Sequence, residues 1–152
     1  MTKKVSGLTR LTSLTLDMTD NCIGPGGCTA LANMVKSLPQ LTSIALDLSR
    51  TCMRDEGCTA LAQELKGLTL LQSLTLCLRS NSIKIEGFGA LLDMSVCFPK
   101  LHSLTLNLQG NWVGAAGCAM LEEKLDAHRT RLTSLTQLSI IYEGLKLGGL
   151  WG

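Results

Sequence analysis

Leu71-Gln72-Ser73-Leu74-Thr75-Leu76-Cys77-Leu78-Arg79-Ser80-Asn81-Ser82-Ile83 decides the fold, because its spacing returns with a fixed period on both sides. Leu11, Leu41, Leu71 and Leu101 stand 30 residues apart. Leu14, Ile44, Leu74 and Leu104 keep that phase, as do Leu16, Leu46, Leu76 and Leu106, and then Met18, Leu48, Leu78 and Leu108. The columns continue through Asn21, Thr51, Asn81 and Asn111, through Ile23, Met53, Ile83 and Val113, through Gly27, Gly57, Gly87 and Gly117, and through Leu31, Leu61, Leu91 and Leu121. A period of this length means a solenoid of stacked supersecondary units, each unable to bury its apolar face alone.

Two periodicities divide each unit. From Leu14 to Met18 apolar residues alternate, as in a strand with one face buried. Cys28, Leu31, Val35 and Leu38 lie at helical spacing, and Cys58, Leu61, Leu65 and Leu68 repeat them. The third unit departs, with Phe88, Leu91 and then Ser95, where Leu92 and Val96 compensate. Pro39 and Pro99 sit just past the helix ends, where proline stops a helix at little cost. Gly24, Gly26 and Gly27 loosen the strand-to-helix loop. The asparagine column suits stacked tight turns, since an amide both donates to and accepts from backbone. Thr51 replaces it only in part, so the second turn is expected to be the loosest.

The last unit breaks phase. Leu135, Leu138, Ile140 and Tyr142 fit the pattern four residues late. This predicts an elongated helix from about Ala116 to His128, with Thr130 and Arg131 in the loop before the fifth strand. Units then run over about 11–40, 41–70, 71–100 and 101–134, with a partial unit over 135–152, in one domain covering the 152 residues.

The composition follows from the repeat. Leucine supplies 31 residues, aromatics only 3%, charged residues 17%, and the mean hydropathy is +0.25. No apolar run approaches the roughly 18–20 residues that span a bilayer. The chain is too apolar and too weakly charged for intrinsic disorder. A net charge of +2 and five aromatic residues give no basis for a nucleic-acid surface. The start has two lysines but no apolar run after them, so it does not read as a signal peptide. Seven cysteines, an odd number, fit free thiols in a reducing compartment.

The pattern L-x-x-L-x-L-x-x-N/C-x-L resembles the leucine-rich repeat family, in its ribonuclease-inhibitor-like subtype, over about residues 8–142. The resemblance implies an α/β solenoid, a right-handed strand–helix arc with a parallel sheet on the concave face and helices on the convex face. The period is a little longer than is usual in that subtype, and the extra apolar steps at Leu11 and Leu14 predict longer strands. It also implies protein partners, a scaffold or accessory role in a larger assembly, and a cytoplasmic, cytoskeletal, ciliary or organellar setting. A regulator of an enzyme, such as a GTPase activator or an inhibitor, is the alternative. Arg54, in the second strand-to-helix loop, is its one candidate residue, weakened by Asp55 and Glu56 beside it.

Residues alternating with the leucines face the concave side. They are mostly Ser and Thr, which suit a sheet whether or not anything binds there. The columns hold no paired carboxylates and no nucleophile beside a base, so no catalytic residue is expected. Asp17, Asp20, Asp47, Arg50 and Arg79 are the few concave or rim charges and the candidates for setting a partner's register, arginine being suited to planar bidentate pairing, and Asn107 and Gln109 are further candidate contacts. Trp112 stands where other units have Cys22, Cys52 and Ser82, and is either an exposed anchor or a lid over the neighbouring turn. No cofactor is implied. Cys22 with Cys28 and Cys52 with Cys58 are spaced too widely for usual zinc pairs, and Cys28, Cys58 and Cys118 read as small buried residues. Gly24-Pro25-Gly26-Gly27 lacks the ending of a phosphate loop.

Both ends read as uncapped. Leu8 occupies the helix-end column of Leu38 and Leu68. The tail carries Leu145, Leu147, Leu150 and Trp151 with no amphipathic capping helix. Such ends are expected to fray or to dock on another protein, which adds Leu147, Leu150 and Trp151 to the candidate contacts.

Overall fold

The computed structural model describes residues 8–142 and the backbone of 145–150. Strand and helix alternate: β1 (Ser13–Asp17), α1 (Gly24–Lys36), β2 (Ser43–Asp47), α2 (Arg54–Leu65), β3 (Ser73–Cys77), α3 (Ile85–Ser95), β4 (Ser103–Asn107), α4 (Gly114–His128), β5 (Gln137–Tyr142) and β6 (Leu145–Leu150). The first five strands form one parallel sheet in sequence order. The register is that of the repeat: Leu14 faces Ile44, Ile44 faces Leu74, and Leu74 faces Leu104. Leu104 then faces Leu138, an offset of 34 residues that takes up the four-residue insertion. The extra turn lies in α4, which is 15 residues long against 11 in α3.

The core is the set of leucine columns. The two inward columns of the strands, Ile44 with Leu74 and Leu104 and Leu46 with Leu76 and Leu106, are buried in one cluster with the inner faces of the helices. In β1, Leu14 and Leu16 are only half-buried, because β1 has a strand on one side alone among the described residues. Ser95, the odd residue of the third helix, is buried with its hydroxyl donating to the Leu92 carbonyl at 2.6 Å. Leu92, Met94 and Phe98 are buried in the same core, and Val96 packs against it half-buried.

Two expectations about the strands and the tail need correction. The strands do not lengthen to include the Leu11 column. Leu41, Leu71 and Leu101 close turns in which their N–H groups donate to Leu38, Leu68 and Phe98, so these leucines enter the core from the helix-to-strand loop. The ladder starts one residue later, with Thr42 and Ser43 donating to the Thr12 carbonyl. The stretch 145–150 is not a loose end. It folds back as β6, antiparallel to β5, with Tyr142 opposite Leu145 and Gln137 opposite Leu150. A hairpin supplies the backbone partners that the fifth parallel strand would otherwise lack on that side. Among the described residues, no helix is long and apolar enough to cross a membrane.

The turns stack as closely as the strands. Asn111 Oδ1 accepts from the N–H groups of Asn81 and Ile83, and its Nδ2 donates to the carbonyls of Leu78 and Leu108. Asn81 does the same one unit earlier, accepting from Thr51 and Met53 and donating to Leu48. Thr51 is fully buried and bonded to Leu48 and to Asn81, so the second turn is not loose. The rung that fails is the one before it. With no amide at position 51, the Asn21 N–H turns to Met18 at 3.3 Å and the Ile23 N–H to Asn21. Thr51→Asn is expected to restore this rung and stabilise the fold by about 0.5–1 kcal/mol, a rise in Tm of roughly 1–4 °C. A lower Tm in thermal denaturation would sink this reading of the first turn.

Ion pairs tie successive helices on the outer face. Lys36 meets Glu64 at 2.6 Å, and Asp93 of α3 meets both Lys124 and His128 of α4. Burial pulls the Asp93 carboxyl up, but the hydrogen bond and charge of Lys124, helped by His128, outweigh it and hold the group below its ordinary value. A depressed carboxylate stabilises the fold above its unfolded value and loses that contribution as pH falls through the folded one. The Asp93 side chain is 49% exposed, which limits the effect to less than about 1 kcal/mol. Asp93→Asn is therefore expected to melt roughly a degree or two below the parent near neutral pH. The gap closes in strong acid; a gap unchanged with pH would contradict it.

Candidate functional site

The strand ends explain the acidic column before any partner is invoked. Asp17, Asp47 and Asn107 each accept, through Oδ1, the N–H two residues on, from Thr19, Ser49 and Gln109. This turn bends the chain out of the sheet and uses one side-chain oxygen. The Thr19 hydroxyl and N–H hold the Asp17 carboxyl below its ordinary value. Cys77 interrupts the column, and burial, reinforced by Asp47 and opposed by Arg79, pushes its thiol up.

The next residue along is left-handed in each of the first four units: Asp20, Arg50, Ser80 and Gly110 all have φ between 53° and 70°. The turn therefore lifts these side chains to the rim of the sheet. There a shallow groove of about 280 Å³ brings together Asp47, Arg50, Arg79 and Asn107, with Ser49, Cys77 and Ser80 between them. The two arginines differ. Arg50 grips Asp20 with a fork, Nε to Oδ1 at 2.6 Å and a terminal nitrogen to Oδ2 at 2.7 Å. Arg79 is exposed, and its guanidinium has no partner among the described residues. The Ser49 hydroxyl is buried in the same groove without a hydrogen bond. Asp17, on β1, and half-buried Gln109, after β4, do not line the groove.

Trp112 is 65% exposed. Lys84 stands 5.9 Å from the ring centroid, within cation–π range. Arg54, Asp55, Glu56 and Ser82 complete a second depression of about 330 Å³ around the ring. Leu147 and Leu150 lie on β6, paired through backbone with Ile140 and Gln137. Trp151 lies outside the described residues.

A family model described as "Leucine Rich repeat" matches residues 10–32, 44–62 and 100–121. Those three segments fall on the first, second and fourth strand–helix units in one 30-residue phase. The chain is a leucine-rich repeat protein. No curated protein matches it. The third leucine-rich repeat, which carries Cys77, Phe88 and Ser95 at departing positions, is joined to its neighbours by the same register as the rest. Domains of this family generally mediate protein–protein interaction and are typically non-catalytic.

Chemically, this leucine-rich repeat protein offers hydrogen bonds, the Arg79 guanidinium and an exposed indole. Among the described residues no three metal-capable side chains cluster. The Cys28 and Cys58 thiols are buried, and burial pushes both up, Cys28 to about 11 although Thr51 opposes it. Two features go beyond the reading of the chain alone. Asp55 caps a helix that is not its own: its Oδ1 accepts from Lys84 and Gly87, both at 2.9 Å, at the start of α3. Cys22 and Cys52, both exposed, bring their sulfurs to 3.7 Å. The signal for the second was present, since the two stand one repeat apart in one column.

Proposed function

We propose that the chain is a non-catalytic interaction module, a scaffold or accessory subunit that binds a protein partner along its concave face. The carrying observation is the Arg79 guanidinium, exposed in the groove and unpaired among the described residues, while Arg50 beside it is committed to Asp20. A carboxylate on an extended partner segment fits Arg79 as a bidentate pair, and Ser80 and Asn107 offer hydrogen bonds on either side. Trp112, Leu147, Leu150 and Trp151 are candidate contacts beyond the groove. On this reading the whole chain acts as one domain of the ribonuclease-inhibitor-like subtype, takes no cofactor and binds no nucleic acid, and it works in a reducing intracellular setting.

The test is affinity capture from the native source with mass spectrometry, using the parent, Arg79→Glu and Trp112→Ala. A specific partner lost with Arg79→Glu, by about tenfold or more in affinity on purified components, supports concave docking. The same partner held equally by all three variants rules it out. A second reading, an enzyme regulator, is favoured by one observation: Arg54 is left-handed at φ 57°, at a position where Gly24 and Gly114 serve the first and fourth units. An exposed arginine kept in a strained backbone beside Trp112 suits insertion into a partner's site. A nucleotide-hydrolysis assay with candidate GTPases, comparing the parent with Arg54→Gly, separates this from simple binding.

A further inference from the structure

We propose that Cys22 and Cys52 form a redox-reactive dithiol, a modification site in which disulfide exchange clasps the first repeat onto the second. Both thiols are exposed, and their sulfurs are 3.7 Å apart with Cys52 donating to Cys22. They sit on stacked turns held by flanking backbone bonds, from Asp20 to Ser49 and from Gly24 to Thr51. Neighbouring parallel chains stack about 4.8 Å apart, inside the roughly 4.4–6.8 Å between α-carbons that a disulfide spans. Closure therefore needs side-chain rotation and little backbone movement.

The other thiols are differently placed. Cys28 and Cys58 are fully buried. Cys58, Cys97 and Cys118 each donate to a backbone carbonyl, of Gly87, Asp93 and Gly114. Cys77 is half-buried on the strand face. The location of the pair is independent support. It stands at the junction where threonine replaces the ladder asparagine, so the covalent link falls where the polar rung is missing. The same turns carry the Asp20–Arg50 pair, and the clasp fixes both.

The oxidant is a low-molecular-weight disulfide such as oxidised glutathione. One protein thiolate attacks a glutathione sulfur, forming a mixed disulfide and releasing one glutathione thiolate. The second protein thiolate attacks the protein sulfur of that mixed disulfide, forming the Cys22–Cys52 bond and releasing the second glutathione. Two protein thiols lose two electrons, one glutathione disulfide gains them, and the two protons go to the glutathione thiolates.

The experiment incubates the full chain in glutathione redox buffers and maps thiols by alkylation and fragmentation mass spectrometry. The expected product has lost two hydrogens, links Cys22 to Cys52, and exceeds the persistent glutathione adduct by about tenfold, because a neighbouring thiol resolves the adduct intramolecularly. The link closes a loop of about 30 residues and is expected to raise Tm by about 10 °C, reversed by dithiothreitol. Cys22→Ser and Cys52→Ser each lose the link and the shift. A stable glutathione adduct without closure, a link to Cys28 or Cys77, or a disulfide between two molecules overturns the proposal. Mapping of the unmutated chain decides the matter even if a serine variant folds poorly.

Discussion

Asn81→Ala is expected to destabilise the fold by about 3–5 kcal/mol, a large share of what a chain of this size has in total. Asn81 is 1% exposed and serves two turns at once. Its Oδ1 takes the N–H groups of Thr51 and Met53 at 2.9 and 3.2 Å, and its Nδ2 holds the Leu48 carbonyl at 2.7 Å. Alanine orphans two buried donors and leaves a void that the stacked backbone cannot readily fill, since the Asn111 rung and the backbone bonds between the turns hold it in place. Each orphaned group costs roughly 1–3 kcal/mol. Asn21→Ala provides the contrast: Asn21 is exposed, its side chain bonds only within its own turn, and its loss should cost no more than about 0.5 kcal/mol. Chemical denaturation of the two variants checks the ratio. Equal losses would show that the ladder does not bear on stability as the geometry requires.

Gly87→Ala is expected to cost about 2–4 kcal/mol, much of it through a residue in another repeat. A β-carbon at Gly87 would stand 2.6 Å from Asp55 Oδ1, 3.0 Å from Ile83 Cγ2 and 3.2 Å from the Asp55 α-carbon. It therefore evicts the carboxylate that caps α3. Asp55→Ala alone removes the cap at a cost of about 1–2 kcal/mol. The two changes share that loss, so the double variant should be more stable than the sum of the singles predicts, by about 1 kcal/mol. Strict additivity in a double-mutant cycle would rule out the cross-repeat cap. The glycine column is accordingly a packing requirement: Gly57 is hemmed in by Met53, Cys28 and Pro25, all within 3.2 Å of where a β-carbon would stand.

The repeat phase, the strand and helix of each unit, the core columns and the four-residue shift before β5 were legible in the chain. Each rests on apolar spacing within one unit, and four copies reinforce one another. The helix of the third unit was legible even with Ser95 in place, because Leu91, Leu92 and Phe88 hold the face. The concave candidates were legible as a column but not as a site. Asp47, Arg50, Arg79 and Asn107 share a groove, while Asp17 and Gln109 stand apart from it. Only the fork between Arg50 and Asp20 distinguishes a committed arginine from an available one, and both partners of that fork come from the same column one repeat apart.

The chain by itself therefore determined the solenoid, since the periodicity of buried leucines is written residue by residue. The tertiary structure decided what happens between units. Whether Asp55 reaches α3, whether Cys22 meets Cys52, and whether the tail pairs back as β6 depend on the stacking distance, on rotamers and on chain direction at the sheet edge. None of these is a property of local sequence. They arise because neighbouring turns, 30 residues apart along the chain, are brought within hydrogen-bonding distance by the ladder that the leucines impose.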